Sequence, residues 1–117
     1  MSEKQESPGL AVVWSSGERE VALNLVYMYT ENSRLRGWWD RVRLIVWGPS
    51  AKLLSHDLEL QDRLEGLTKA GVELLACKAC ADNYGVADNL AGLGIEVIYM
   101  GQPFTEMLKE GWTTITF

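Results

Sequence analysis

Short apolar runs recur along the chain, and a turn and a helix-like pattern follow each of the first four. The run at 10–14 is apolar throughout, as expected for a strand that is covered on both faces. Further runs lie at 42–47, 72–76 and 95–99, and a last one at 113–117 alternates, which predicts an edge strand. Strands that alternate with helices favour right-handed crossovers. The sequence therefore predicts an α/β fold, a three-layer α/β/α sandwich around a mostly parallel five-stranded sheet.

Apolar residues at helical spacing lie between these runs. The predicted helical stretches are 21–29, 54–67, 77–85, 87–93 and 103–109. The helical spacing that resumes at Leu54 is expected to end at Gly71. No repeat or low-complexity segment interrupts this order.

The length of 117 residues suits one domain with a single core. Polar residues at 2–7 and the Pro8-Gly9 pair predict a flexible tail over 1–9 and a single domain over 10–117. A net charge of −5 without a basic cluster disfavours nucleic acid as a partner. No apolar run approaches the roughly 18 residues of a membrane span, and the N-terminus lacks a signal-peptide core. These features predict a cytoplasmic protein without a membrane partner.

Both cysteines, Cys77 and Cys80, lie where the third predicted strand runs into a short helix. A thiol at such a junction faces unpaired N–H groups and the positive end of the helix dipole. These favour the thiolate, which is the nucleophilic form of cysteine. The junction is therefore the candidate for chemistry.

Three more loops are expected beside the cysteines, because the carboxyl ends of parallel strands share the edge of the sheet where ligands bind. These loops, at 15–18, 48–50 and 101–105, supply the supporting candidates Ser16, Gly17, Pro49 and Gln102. Ser16 and Gly17 are suited to donate hydrogen bonds to an anion, although helix capping is the commoner use of such residues. Lys78 either helps to keep Cys77 ionised or is a solvated lysine of the first helical turn.

Two thiols at this spacing are compatible with three kinds of chemistry. A zinc site needs three or four ligands, and the single histidine, His56, lies in another crossover, so no metal or other cofactor is predicted. A dithiol redox pair would use both Cys77 and Cys80. A persulfide carrier needs one exposed thiolate and donors that stabilise the anion. Without chemistry, both thiols would be small buried hydrophobes.

The cysteine junction and the C-terminal region together resemble the DsrE/DsrF-like family, and the likeness extends over nearly the whole chain after residue 9. It rests on Cys77, Ala79, Gly85 and the ending Gly101-x-Pro103-Phe104-Thr105-Glu106-x-Leu108-x-x-Gly111-Trp112. The resemblance implies a three-layer α/β/α domain and a homo-oligomer, such as a trimer or a hexamer. It also implies transfer of persulfide sulfur from donor to acceptor proteins through the cysteine at the position of Cys77.

The resulting hypothesis is a small sulfur carrier, in which Cys77 takes up sulfane sulfur and passes it on without turnover of a free substrate. Relay members of the family have alanine at the place of Cys80, which here is either a resolving thiol or a packed bystander. One alternative is an oligomeric module of the same fold that binds a small ligand or a protein. Another is a redox protein that uses both thiols.

Two adjacent tryptophans, Trp38 and Trp39, lie in a connection that is otherwise rich in charge. Adjacent large aromatic side chains seldom bury on the same side, and exposed aromatic surface usually marks an interface. The pair therefore predicts a contact between subunits.

Overall fold

The computed structural model describes residues 8–117, which contain a five-stranded parallel sheet. Its strands are β1 (Leu10–Trp14), β2 (Val42–Val46), β3 (Glu73–Cys77), β4 (Glu96–Ile98) and β5 (Thr113–Thr116). The order across the sheet is β4-β3-β2-β1-β5, and all adjacent strands are parallel. The predicted α/β class and five-stranded sheet are confirmed, and the alternating strand β5 lies at an edge.

Helical segments connect every pair of consecutive strands. They are α1 (Arg19–Val21), α2 (Met28–Leu35), α3 (Pro49–His56), α4 (Leu58–Ala70), α5 (Lys78–Tyr84), α6 (Ala87–Gly92) and α7 (Gly101–Lys109). A π-helical segment, Ala22–Tyr27, joins α1 to α2 without a break. Within residues 8–117, no helix combines the length and the apolar character that crossing a bilayer requires.

Two helical boundaries differ from the sequence prediction. The stretch from Leu54 to Gly71 is helical as predicted, but the chain divides at Asp57 into α3 and α4, which the spacing does not indicate. Asp57 has an extended backbone, and its carboxylate accepts a hydrogen bond from the Leu60 N–H at 3.0 Å, which is the geometry of an N-cap. The loop predicted at 101–105 is wrong, since these residues form the first turns of α7.

One face of the sheet carries most of the helices. The chain steps from β1 to β4 in one direction, so right-handed crossovers place α1 to α6 on the same face. We call the cluster on this face the large core; its fully buried members include Val12, Trp14, Tyr27, Leu44, Leu54, Leu60, Leu67, Ala76 and Leu90. These residues come from three strands and every one of the first three connections.

The opposite face has a single helix. The chain returns from β4 across the whole sheet to β5, and α7 lies on that return. We call the cluster beneath it the small core; its buried members are Ala11, Ile45, Leu75, Cys77, Met100, Met107 and Trp112. The guanidinium group of Arg43 lies 4.5 Å from the centre of the Trp112 ring, and its Nε donates to Glu73 at 2.9 Å. Polar side chains therefore border the small core where the strands begin.

The predicted tail over 1–9 lies outside the described residues except for Pro8 and Gly9. Gly9 is buried, and its carbonyl accepts a hydrogen bond from the Thr113 N–H at 3.0 Å. A Cβ atom at this position would lie 2.3 Å from the carbonyl oxygen of Arg41, so the close approach requires glycine. The division into a flexible tail and a domain stays a prediction.

Candidate functional site

Cys77 is the last residue of β3 and also the residue from which α5 begins. The strand passes into the helix with no loop between them, as the sequence predicts. Successive side chains of a strand alternate between faces, and this position faces the small core. Cys77 is only 5% exposed there. The residue that the resemblance favours as sulfur acceptor is therefore sheltered from solvent.

Cys80 lies in the first turn of α5 and is half-buried at the rim of the small core. Both cysteines are free thiols. The Cys77 thiol and the backbone N–H of Gly48 are neighbours of the Cys80 side chain. Burial raises the pKa of Cys80, the neighbouring Cys77 thiol raises it further, and the Gly48 N–H lowers it, with a net rise.

Aromatic side chains stand beside the thiols. Trp47 directly follows β2 and Phe104 belongs to α7, and their ring centres lie 5.3 Å apart in an edge-to-face arrangement. Both pack against the small core, as do Ile98 and Cys80. Sequence reasoning does not single out Trp47 or Phe104 as site residues, because their meeting depends on the return of α7 across the sheet.

The loops that follow β1 and β2 are joined at the carboxyl edge of the sheet. The Ser50 N–H donates to the Ser15 carbonyl at 3.1 Å, and the Ser50 hydroxyl donates to the Trp14 carbonyl. A Cβ atom on Gly17 would lie 3.3 Å from Cβ of Pro49, which is the first residue of α3. The predicted convergence of these loops is present, and Gly17 and Pro49 form the contact between them.

Gly48 connects this pair of loops to the cysteine turn. Its φ of 95° lies in the region that favours glycine, and its N–H lies near Cys80. A residue with a side chain would be strained in the same conformation. Gly48 is therefore the candidate backbone donor of the site, although the sequence indicates only the loop that contains it.

The remaining supporting candidates have partners other than the thiols. Lys78 forms an ion pair with Asp82 at 2.8 Å, and its Nζ lies 5.5 Å from the centre of the Tyr99 ring. This arrangement matches the solvated lysine that the sequence allows. Gln102 and Ser16 also bond within their own turns: Gln102 Nε2 donates to Glu106 at 3.3 Å, and Ser16 Oγ accepts from the Glu18 N–H at 3.1 Å.

The site contains two free thiols. Among residues 8–117, no group of three or more His, Cys, Asp or Glu side chains is placed to hold a metal ion. A thiol pair with a backbone donor can carry out nucleophilic, redox or sulfur-transfer chemistry.

A separate apolar groove lies on the outer surface of the helices that cover the large core. It has a volume of about 280 Å³, and its lining residues are Asn24, Leu25, Met28, Tyr29, Asn32 and Trp38. Trp38 is 57% exposed, whereas its neighbour Trp39 packs against the large core. The two tryptophans thus face different ways, as the sequence indicates. We call this surface the Trp38 groove.

Comparison with protein families and curated proteins gives one match. The profile of the DsrE/DsrF-like family matches residues 16–117. None of the curated proteins matches the chain significantly.

Solved structures share the whole fold. BT1422 from Bacteroides thetaiotaomicron, a conserved protein of unknown function, is 37% identical, with a TM-score of 0.88 over 92% of this chain and 93% of that one. MTH1491 from Methanobacterium thermoautotrophicum, also of unknown function, is 21% identical, with a TM-score of 0.74 over 96% and 100%. The ychN protein from E. coli is 18% identical, with a TM-score of 0.70 over 94% and 99%. The last two likenesses show the fold alone.

Proposed function

The chain belongs to the DsrE/DsrF-like family, and we propose that it is a sulfur carrier that holds sulfane sulfur as a persulfide on Cys77. One observation carries this proposal. Two free thiols lie together at the carboxyl edge of the sheet, one of them sheltered in the small core. Cys77 is only 5% exposed, unlike the exposed thiolate that the sequence predicts for a carrier, and Cys80 is the more accessible thiol of the pair.

The transfer steps need no cofactor. The Cys77 thiolate attacks the outer sulfur of a persulfide on the donor, a new S–S bond forms, and the donor leaves as a thiolate. In the second step a thiolate of the acceptor attacks the outer sulfur on Cys77, and the Cys77 thiolate is released. The sulfur atom changes carrier in each step, and no net oxidant or reductant is consumed.

The proposal includes a cytoplasmic location and protein partners that supply and receive the sulfur. It also includes a homo-oligomer, a trimer or a hexamer, formed through the Trp38 groove. Exposed Trp38 and Met28 support this contact, since they are 57% and 51% exposed and both line one apolar groove.

Intact mass after brief exposure to polysulfide tests the carrier function. Wild-type protein should gain about 32 Da, the gain should vanish on treatment with a thiol, and Cys77→Ala should lose stable uptake. Absence of a stable gain on Cys77 in the wild type would show that the proposed function is wrong.

The same adjacent thiols favour a dithiol redox protein as the second candidate. This candidate predicts that wild-type protein loses about 2 Da as a Cys77–Cys80 disulfide forms, and that either single cysteine substitution abolishes the loss. A disulfide in place of a persulfide would move the assignment to redox chemistry.

Molar mass measured by light scattering tests the assembly. Trp38→Ser should reduce the molar mass to that of a smaller species, because it removes the aromatic contact. Leu58→Ser is the matched control, since Leu58 is 75% exposed but lies outside the Trp38 groove. Equal molar mass for wild type and Trp38→Ser would argue against this interface.

A further inference from the structure

We propose that sulfane sulfur reaches Cys77 through Cys80, which receives it at the rim of the small core and passes it inward. This inference rests on the proposed function, because it assigns the route by which the carrier is loaded. Cys80 is then an entry thiol, and Cys77 is the storage thiol.

The difference in exposure between the two thiols supports this route. Cys77 is 5% exposed and faces the small core, whereas Cys80 is half-buried at its rim. Exchange at a persulfide requires the attacking thiolate to approach the outer sulfur directly, so access limits the rate. A donor protein can present its persulfide to Cys80 at the rim more readily than to Cys77 within the small core.

The neighbours of each thiol support the same order. The Gly48 N–H lies near the Cys80 sulfur and favours its anionic form, against the larger effect of burial. Trp47 and Phe104 pack against the small core that contains Cys77. Cys80, the more accessible thiol, is thus the one near the backbone donor. Cys77, the buried thiol, lies in a core of apolar side chains.

Cys80 lies three residues after Cys77 in the first turn of α5 and packs against the small core that contains Cys77, so an inward transfer stays within one helical turn. The Cys77 sulfur attacks the outer sulfur of the Cys80 persulfide and forms a new S–S bond. The S–S bond to Cys80 breaks, and its electron pair remains on the Cys80 sulfur. The proton that leaves the Cys77 thiol ends on Cys80. The Cys77 sulfur is oxidised to the persulfide level and the Cys80 sulfur is reduced to a thiol, so atoms and electrons balance.

Time-resolved mapping tests the route. Protein is mixed with less than one equivalent of polysulfide, quenched with an alkylating reagent and digested with trypsin. Cleavage after Lys78 places the two cysteines in different peptides. In the wild type the added sulfur should be found first on the Cys80 peptide and later on the Cys77 peptide.

Variants make the route quantitative. Cys80→Ser should slow loading of Cys77 by roughly tenfold or more, because the donor must then reach a buried sulfur. Cys77→Ala should take up sulfur only transiently on the Cys80 peptide, because the storage thiol is absent. Ala79→Ser is the matched control, since Ala79 is an exposed residue of the same turn, and it should load like the wild type. Cys80→Ala, with circular dichroism of each variant, separates loss of the thiol from loss of the fold.

The outcomes separate this route from the carrier function itself. If the folded Cys80 variants load Cys77 at the wild-type rate, the route is wrong and the carrier function stands. If wild-type sulfur settles on Cys80 and never reaches Cys77, the inward direction and the storage role of Cys77 are both wrong. If no protein gains sulfur, or a disulfide forms instead, the carrier function fails together with its route.

Discussion

The large core and the small core lie on opposite faces of one sheet, and they differ in how they are covered. Three consecutive connections, which contain α1 to α6, cover the large core, whereas α7 alone covers the small core. Both thiols contact the thinly covered side. The comparison shows how the two faces divide their roles: the large core stabilises the fold, and the small core leaves a rim where a reactive side chain can be reached.

The residues at which α4 and α5 begin also differ between the two cores. Asp57 caps α4 with a side-chain hydrogen bond over the large core. Cys77 occupies the equivalent position at α5 and makes no side-chain cap. A side-chain cap stabilises a helix, and α5 begins at Cys77 without one. Three predictions test whether the large core supports the fold while the small core contains the candidate site.

The largest expected effect comes from two neighbouring residues of β2 that face opposite cores. Leu44 lies in the large core and Ile45 in the small core, and both are fully buried. Truncation to alanine removes the same number of carbon atoms from each. Leu44→Ala should lower the free energy of unfolding by about 4 kcal/mol and Ile45→Ala by about 2.5 kcal/mol, since a single helix can close over a cavity more easily than a full layer.

Urea denaturation of both variants measures this difference. Ile45→Val, which removes one methylene group, is the control and should cost about 1 kcal/mol. An equal or larger loss for Ile45→Ala would show that α7 supports its face as firmly as the helices of the large core support theirs.

The second prediction compares the two thiols. Iodoacetamide should modify Cys80 roughly tenfold faster than Cys77, because only Cys80 lies at the rim. Burial and the neighbouring Cys77 thiol raise the pKa of Cys80, so its thiolate fraction and its rate should still increase with pH above the usual cysteine value of about 8.5. Cys77→Ala removes the neighbouring thiol that raises the pKa of Cys80. At any pH below that pKa, Cys80 should then react faster than in the wild type.

Alkylation followed by tryptic mapping over pH 6 to about 10 measures both rates. Faster modification of Cys77 than of Cys80 would contradict the contrast between a buried and an accessible thiol, and with it the loading route. A rate for Cys80 that levels off below its usual pKa would contradict the effect of burial.

The smallest expected effect concerns the cap at the division between α3 and α4. Asp57→Ala should lower the free energy of unfolding by about 1 kcal/mol, and Asp57→Asn by less, because asparagine can still accept the Leu60 N–H. That N–H and the Arg19 guanidinium lower the pKa of Asp57. The contribution of the carboxylate is therefore complete above its usual pKa of about 4 and is lost as the pH falls through the lowered value.

Thermal unfolding of wild type, Asp57→Ala and Asp57→Asn between about pH 7 and pH 3 gives this dependence. The difference between wild type and Asp57→Asn should shrink at the acid end. A difference that grows on acidification would contradict the cap and its ion pair.

Several features could be predicted from local pattern alone. The apolar run at Leu10–Trp14 and the junction at Cys77 are where the sequence predicts them, because burial on both faces and a strand that passes directly into a helix leave a local signal. The division at Asp57 was missed, since the leucine spacing continues across it. A residue that caps one helix also looks like an ordinary polar position within a longer one.

The sequence by itself therefore determined the order of strands and helices along the chain and the α/β class. It also determined that both thiols lie at the turn from a strand into a helix. Only the tertiary structure decided the order of the strands across the sheet and the face on which α7 lies. The reason is that β1 pairs with β5, which is distant in sequence, and such contacts have no local signature. That return of the chain places Phe104 beside Trp47 and buries Cys77 while Cys80 stays at the rim. The exposed fraction of a side chain depends on every element that packs around it, so only the complete tertiary structure determines it.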